Sequence, residues 1–398
     1  MEVYFMVSER MKGLGTARSV IRELFEYGKL RAAQVGPENV FDFSIGNPSV
    51  PSPAAVNEEA VRLLKEQPDL IHAYTSAQGD QESRQRFADS LNRRFGTGYT
   101  AGQLYLTVGA AASLCCVLNG LSCPGDEFIV FAPHFPEYKV FIEGAGARMV
   151  LVPPEVERFQ IDFGAFERAV GEHTKGVLIN SPNNPSGVVY SRQTLERLAG
   201  ILTEKSREYG HPIYLISDEP YREIVYAGVE VPWVPGVYRD TIVCYSFSKS
   251  LSLPGERIGY VLVPGEVTDS GDVYAAVAGA GRSLGYVNAP SLFHQVVSLC
   301  CDMTSDIKVY EENAQLLVSS LREMGYHVVE PSGAFYLFPR TLIPDDVAFC
   351  ERAKEFDLLI VPGSGFGAPG HTRISYCVQT DMIRRALPKF QALADSYK

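Results

Sequence analysis

No run in this 398-residue chain approaches the roughly 18 uninterrupted apolar residues that a membrane-spanning helix needs. The opening Met1-Glu2-Val3-Tyr4-Phe5-Met6 has no basic segment leading into an apolar stretch, so it does not read as a secretory signal. Met6 is as eligible a start as Met1. The usual signs of metal chemistry are also missing. The eight cysteines (115, 116, 123, 244, 300, 301, 350 and 377) form no Cys-x-x-Cys pair, and the seven histidines form no His-x-x-x-His pair. Cys115-Cys116 and Cys300-Cys301 fall in apolar helical runs, which suggests buried, reduced thiols of a cytoplasmic protein. Positive charge is in deficit: 36 Lys and Arg against 47 Asp and Glu leave a formal charge of −11. That excess of acid argues against nucleic acid or an anionic membrane as the main partner. Small anionic ligands stay open, because a local arginine or helix N-terminus can override the global field.

What the sequence does contain is the composition of a globular protein, 46% apolar and 21% charged. Its length exceeds what one core usually serves, so two domains are expected. From about 55 to 270, short apolar runs alternate with amphipathic stretches. The runs Leu104–Thr107, Phe128–Phe131, Gly176–Asn180, Ile213–Ser217 and Thr241–Tyr245 read as strands. Strands alternating with helices predict an α/β domain around a mainly parallel sheet. Ligands of such sheets gather beyond the C-terminal ends of the strands. There the chain carries Asn180-Ser181-Pro182-Asn183-Asn184-Pro185, Ser217-Asp218-Glu219 and Ser246-Phe247-Ser248-Lys249. Upstream, Ser19–Phe25 has helical spacing, and Val40–Ile45 alternates like a short strand before the loop Gly46-Asn47-Pro48. After about 290 a helical segment through Glu311–Glu323 opens a smaller region, in which Gly363–Gly367 reads as a flexible loop. The expected division is an N-terminal arm joined to the small domain (1–50), a large domain (51–290) and the small C-terminal domain (291–398).

Three motifs carry chemistry. In Ser246-Phe247-Ser248-Lys249, followed by Arg257 eight residues after the lysine, a desolvated amine near another cation is favoured in its neutral, nucleophilic form. Asp218 ends an apolar strand, where an unpaired carboxylate is expensive and demands a partner. Leu104–Leu114 is a strand, a glycine turn and a run of small residues, whose free N–H groups at a helix start suit a phosphate. With Asn184 in its Pro- and Gly-rich turn and Arg373 in Thr372-Arg373-Ile374-Ser375, these motifs resemble the aspartate-aminotransferase superfamily. That superfamily comprises fold-type I pyridoxal-phosphate enzymes, the class I/II aminotransferases, and the resemblance runs over nearly the whole chain.

The resemblance implies the family fold, a large domain with a mainly parallel sheet plus a smaller α/β domain. It implies pyridoxal 5′-phosphate as cofactor, held by Lys249 as a Schiff base, with the same amine moving a proton in catalysis. Asp218 would face the pyridine nitrogen, and Tyr221 and Asn184 would flank the phenolic oxygen. Gly109, Ala110, Ala111, Ser246, Ser248 and Arg257 would surround the phosphate. Phe135 would stack on the ring, a place that fits it better than its neighbour His134. Arg373 would clamp the substrate α-carboxylate, with Gly46 and Asn184 beside it. Tyr74 resembles a tyrosine that reaches the phosphate of the neighbouring subunit, which implies a homodimer with shared active sites. The implied reaction is amino transfer between an L-amino acid and a 2-oxo acid. Lyases, decarboxylases and racemases share these cofactor residues and stay open. A ligand-sensing regulator is disfavoured, since no helix-turn-helix segment is appended. Arg282, before Asn288-Ala289-Pro290, resembles the partner-donated arginine of the aspartate- and glutamate-specific branch, although the spacing is one residue longer. An exposed helix-end arginine is the equal reading.

Overall fold

A computed structural model describes residues 7–16 and 20–398. The two candidate starts, Met1 and Met6, and Ser19 of the expected first helix lie outside the described residues. The first short strand, β1 (Phe41–Asp42), stands apart from the main sheet. Seven strands build that sheet: β2 (Leu104–Thr107), β3 (Glu127–Phe131), β4 (Arg148–Val152), β5 (Thr174–Asn180), β6 (Tyr214–Asp218), β7 (Thr241–Ser246) and β8 (Gly259–Leu262). Their spatial order is β2-β8-β7-β6-β5-β3-β4. Only β8 opposes its neighbours; the contacts β3–β4, β3–β5, β5–β6 and β6–β7 are parallel. Strands β2, β6, β7 and β8 are buried at every position, as expected where helices cover both faces. Two of those helices, Ala110–Leu121 and Ser270–Ser283, lie close together. A Cβ on Gly120 would sit 3.0 Å from the backbone of Ala276 and Val277, so a glycine permits the approach.

Four more short strands follow: β9 (Tyr336–Leu337), β10 (Leu358–Leu359), β11 (Val361–Pro362) and β12 (Thr372–Ser375). β1 pairs with β10 in parallel, and β11, β12 and β9 form an antiparallel sheet. A separate apolar core joins Phe41 and Phe43 to Tyr310, Phe335, Phe349 and Phe390. Phe41 and Phe43 therefore pack with the C-terminal region.

Three expectations need correction. Val40–Ile45 is a strand only at Phe41–Asp42, because Ser44 folds back, its N–H and hydroxyl both donating to Asp42 Oδ1. Gly363–Phe366 is a 3-10 turn rather than a loose loop. Phe366 is fully buried, and its carbonyl accepts from the His134 N–H at 3.0 Å. All eight cysteines are free thiols, but Cys123 is exposed, Cys115 and Cys301 are half-buried, and Cys300-Cys301 follows the helix Ser291–Leu299 instead of lying within it. Among the described residues no helix is long and apolar enough to cross a membrane, and no cluster of His, Cys, Asp and Glu could hold a metal ion.

Candidate active site

The C-terminal ends of β5, β6 and β7 open on a cavity of about 280 Å³. Asp218, the last residue of β6, is buried in its floor. Tyr138 donates to its Oδ2 at 2.6 Å, while Oδ1 has no hydrogen-bond partner among the described residues. Burial pushes the Asp218 carboxyl up to about 7; the Tyr138 hydroxyl pulls it down and Glu219 pushes it further up. Asn180 steadies the strand end from β5. Its amide donates to the Asp218 carbonyl at 2.9 Å, and its side-chain oxygen accepts the Asn184 N–H at 2.7 Å. The adjacent acid has a different fate. Glu219 accepts from Ser217 Oγ at 2.7 Å and forms a buried ion pair with Arg222. The Arg222 guanidinium lies 4.9 Å from the centre of the Trp233 ring, which stacks on Phe95 at 4.2 Å.

Lys249 sits in the short helix Phe247–Ser250, which starts as β7 ends. Ser246 caps that helix: its Oγ accepts the Ser248 N–H at 3.2 Å and lies 2.7 Å from Ser248 Oγ. Lys249 Nζ donates to the Gly46 carbonyl at 2.6 Å. Burial lowers the amine's pKa to about 8; Cys377 opposes the shift, and Arg257 and Arg373 add to it. A lowered pKa means the free base is present at a pH where an exposed lysine would be charged.

Arg373, in β12, is buried between the rings of Tyr336 and Phe366, each centre 4.9 Å from its guanidinium carbon. It donates to Asn184 Oδ1 at 3.1 Å and to the Ser44 carbonyl, and its Nε has no partner among the described residues. Tyr336 Oη lies 3.0 Å from Tyr221 Oη. A Cβ on Gly46 would collide with the Tyr336 hydroxyl, which accounts for glycine at that position. At the far end, Gly109 (φ 95°) starts the helix Ala110–Leu121 without a side-chain cap, leaving its first N–H groups open to a ligand. Arg257 Nη1 lies 3.4 Å from Ser248 Oγ, and a Cβ on Gly109 would approach Arg257 Nη2 to 2.6 Å.

Gly46, Ala110, Ala111, Phe135, Asn184, Asp218, Tyr221, Lys249 and Arg373 thus line one cavity, with Gly109, Ser246, Ser248 and Arg257 clustered at its phosphate-suited end. Tyr74 and Arg282 do not line it. Tyr74 is 99% exposed in a surface depression with Asn288 and Ser291, and Arg282 is exposed near the end of the helix Ser270–Ser283. Sequence reasoning missed Tyr336, Ile21, Leu114 and Phe141 in the wall, and the bond from Tyr138 to Asp218. Tyr138 did carry a signal, because it lies in the same short run, Ala132–Tyr138, as the expected stacking residue Phe135. Ile21 carried none.

The sequence profile of the family described as aminotransferase class I and II matches residues 38–390. The chain belongs to that family. Aspartate aminotransferase of Thermotoga maritima is 32% identical over 396 residues, 98% of this chain and 100% of the relative. Aspartate/prephenate aminotransferase of Thermus thermophilus is 32% identical over 357 residues, covering 87% and 88%. The crystal structure of an amino transferase from Eubacterium rectale superposes with a TM-score of 0.97 at 56% identity, covering 99% of this chain and 100% of the other. As a class I and II aminotransferase, the protein moves amino groups with pyridoxal 5′-phosphate. The residues present fit that cofactor. A buried carboxylate oxygen without a partner calls for a cationic N–H donor, which a protonated pyridine nitrogen is. A lysine with a depressed pKa suits a carbonyl, and an uncapped helix start beside Arg257 suits a phosphate.

Proposed function

We propose that this aminotransferase passes the amino group of an L-amino acid to a 2-oxo acid, with Lys249 Nζ carrying the proton at the substrate Cα. The reading is supported above all by one convergence: the shifted Lys249 amine, the half-satisfied Asp218 carboxylate and the buried Arg373 guanidinium all face one cavity. Pyridoxal 5′-phosphate, when bound, supplies the electron-withdrawing ring that acidifies the Cα–H bond. Asp218 Oδ1 holds the proton on the ring nitrogen. Tyr221 and Asn184 donate to the phenolic oxygen, and Phe135 packs on the ring face. Gly109, Ala110 and Ala111, with Ser246, Ser248 and Arg257, receive the phosphate. Arg373 grips the substrate α-carboxylate beside Asn184 and Gly46. The large domain (51–290) would carry the cofactor. The small domain (291–398) would act with residues 1–50, a division supported by the pairing of β1 with β10.

A homodimer with shared sites completes the proposal. Leu70, Tyr74, Leu284 and Val287 are all exposed, and large apolar side chains left in water are what a second copy would cover. Asn288 ties its segment to the one that carries Tyr74, donating to the Ser76 carbonyl at 2.6 Å. Sedimentation of the purified enzyme should give twice the 43.8 kDa chain mass. A fully active species of single mass would remove shared sites from the reading.

Two arginine variants test the substrate roles. Arg373→Leu should weaken every amino-acid substrate, because all carry the α-carboxylate; loss of a bidentate charged bond predicts falls in kcat/KM of roughly a hundredfold or more. Arg282→Leu should penalise aspartate and glutamate alone if the partner's copy reads a distal carboxylate. Half-reactions with a panel of amino acids, followed by cofactor absorption, measure both. An Arg373→Leu enzyme with unchanged kcat/KM would overturn the clamp, and uniform or absent effects of Arg282→Leu would remove the dicarboxylate preference.

A further inference from the structure

We propose that Tyr138 is a positioning residue that acts on the cofactor through Asp218, an inference that rests on the aminotransferase reading above. Tyr138 lies in the first turn of the helix Glu137–Gly144 and is 1% exposed. Its hydroxyl, 2.6 Å from Asp218 Oδ2, pins one of two otherwise equivalent carboxylate oxygens. The other, Oδ1, is left without a partner among the described residues, at the end of a strand that opens on the cavity. A carboxylate free to turn about its Cβ–Cγ bond would have no preferred oxygen for the ring nitrogen. Pinning Oδ2 aims Oδ1. Packing adds to this: the Tyr138 ring meets Phe135 edge-on, centroids 5.6 Å apart, so the side chain that orients the acid also backs the aromatic beside it.

The bond also governs charge. Four titratable groups face Asp218: Tyr138 from its helix, Glu219 just past the strand end, Tyr221 in the following turn, and Cys244, its register partner on β7. Glu219 is committed to Ser217 and Arg222, the Tyr221 hydroxyl faces that of Tyr336 and makes no bond to the carboxylate, and burial keeps the Cys244 thiol protonated. Tyr138 therefore supplies the one hydroxyl donated to this carboxylate among the described residues. Without it, a buried carboxylate flanked by Glu219 takes up a proton more readily, and a neutral acid cannot stabilise a cationic ring nitrogen. The hydroxyl itself makes no contact with the substrate in this scheme; it works through Asp218.

The test is Tyr138→Phe in the full-length holoenzyme, which keeps the ring and removes the donor. Loss of a hydrogen bond to a charged group predicts a half-reaction rate constant lower by about tenfold to a hundredfold, with KM nearly unchanged. Cofactor affinity of the apoprotein, measured by titrating in pyridoxal 5′-phosphate, should fall as well. In an Asp218→Asn background the same change should have almost no further effect on the rate, because the carboxylate charge that the hydroxyl stabilises is already absent. Rate and affinity within twofold of wild type, or an equal loss in both backgrounds, would assign Tyr138 to packing alone and overturn the proposal. If Tyr138→Phe does not fold, site-specific 3,5-difluorotyrosine at 138, a stronger donor of similar size, decides: an altered half-reaction rate supports the role and an unaltered one overturns it. The wild-type control separates the two readings. No half-reaction with any amino acid would sink the aminotransferase assignment itself, whereas a reactive wild type beside an unaffected variant sinks only Tyr138.

Discussion

Replacing Lys249 with alanine should leave a protein that binds pyridoxal 5′-phosphate reversibly and transfers amino groups several orders of magnitude more slowly than wild type. The size of the effect follows from two jobs resting on one atom. In the proposed scheme Nζ is both the amine that bonds to the cofactor and the base at the reacting carbon, so a single deletion removes both. The environment prepares it for each. Burial, with help from Arg257 and Arg373, brings its pKa to about 8, so free amine is available near neutral pH. The bond to the Gly46 carbonyl also anchors it on the side where the substrate carboxylate would lie. Borohydride treatment of wild-type enzyme should attach the cofactor to the peptide that contains Lys249, and the variant should lose that attachment. Turnover close to wild type in Lys249→Ala, or attachment elsewhere, would contradict the assignment.

Asp218→Asn should give the second largest effect. The amide keeps the shape and can still meet Tyr138, but it carries no charge to hold a proton on the ring nitrogen. Removing one fixed electrostatic partner of a developing charge typically costs on the order of 10²–10³ in rate. The slowed step is breaking of the Cα–H bond, so the isotope effect with Cα-deuterated substrate should rise as overall turnover falls. The apoprotein offers an independent check with a defined sign. Asp218 has a raised pKa when folded, so its burial costs stability mainly where the folded state would have to ionise it. That penalty is absent below the unfolded value near 4 and grows as pH rises toward about 7. The apo form of Asp218→Asn should therefore gain stability relative to wild-type apoprotein at neutral pH and lose that advantage in acid. Equal rates and equal isotope effects in the two enzymes would mean that another group tunes the ring.

Much of this was readable in the sequence, for a physical reason. Strands covered on both faces must be apolar throughout, so β2, β3, β5, β6 and β7 announced themselves within a residue or two. The polar residues that interrupt them mark the ends where ligands collect, and Asn184, Asp218 and Lys249 do share one cavity. What stayed hidden depends on contacts distant in sequence. β1 is two residues long because its pairing with β10 and the Ser44 turn limit it, and neither is local to the pattern of 40–45. Tyr138 and Asp218 are 80 residues apart, and nothing in either neighbourhood names the other. Ile21 enters the cavity wall from a helix with no motif of its own. Tyr74 and Arg282, expected from the resemblance alone, lie exposed outside this cavity, and among the described residues no contact within one chain ties them to it.

The stacked pair of Trp233 and Phe95 has an optical consequence. Trp233 is the only tryptophan in the sequence, so all indole fluorescence of the chain originates at one buried point. That point touches Arg222, whose partner Glu219 directly follows Asp218 in the chain. Emission colour and intensity therefore speak for the polarity and order of the β6 end, undiluted by signals from elsewhere. Bound pyridoxal 5′-phosphate absorbs where indole emits, which makes the unlabelled protein a donor–acceptor pair with a single donor per chain.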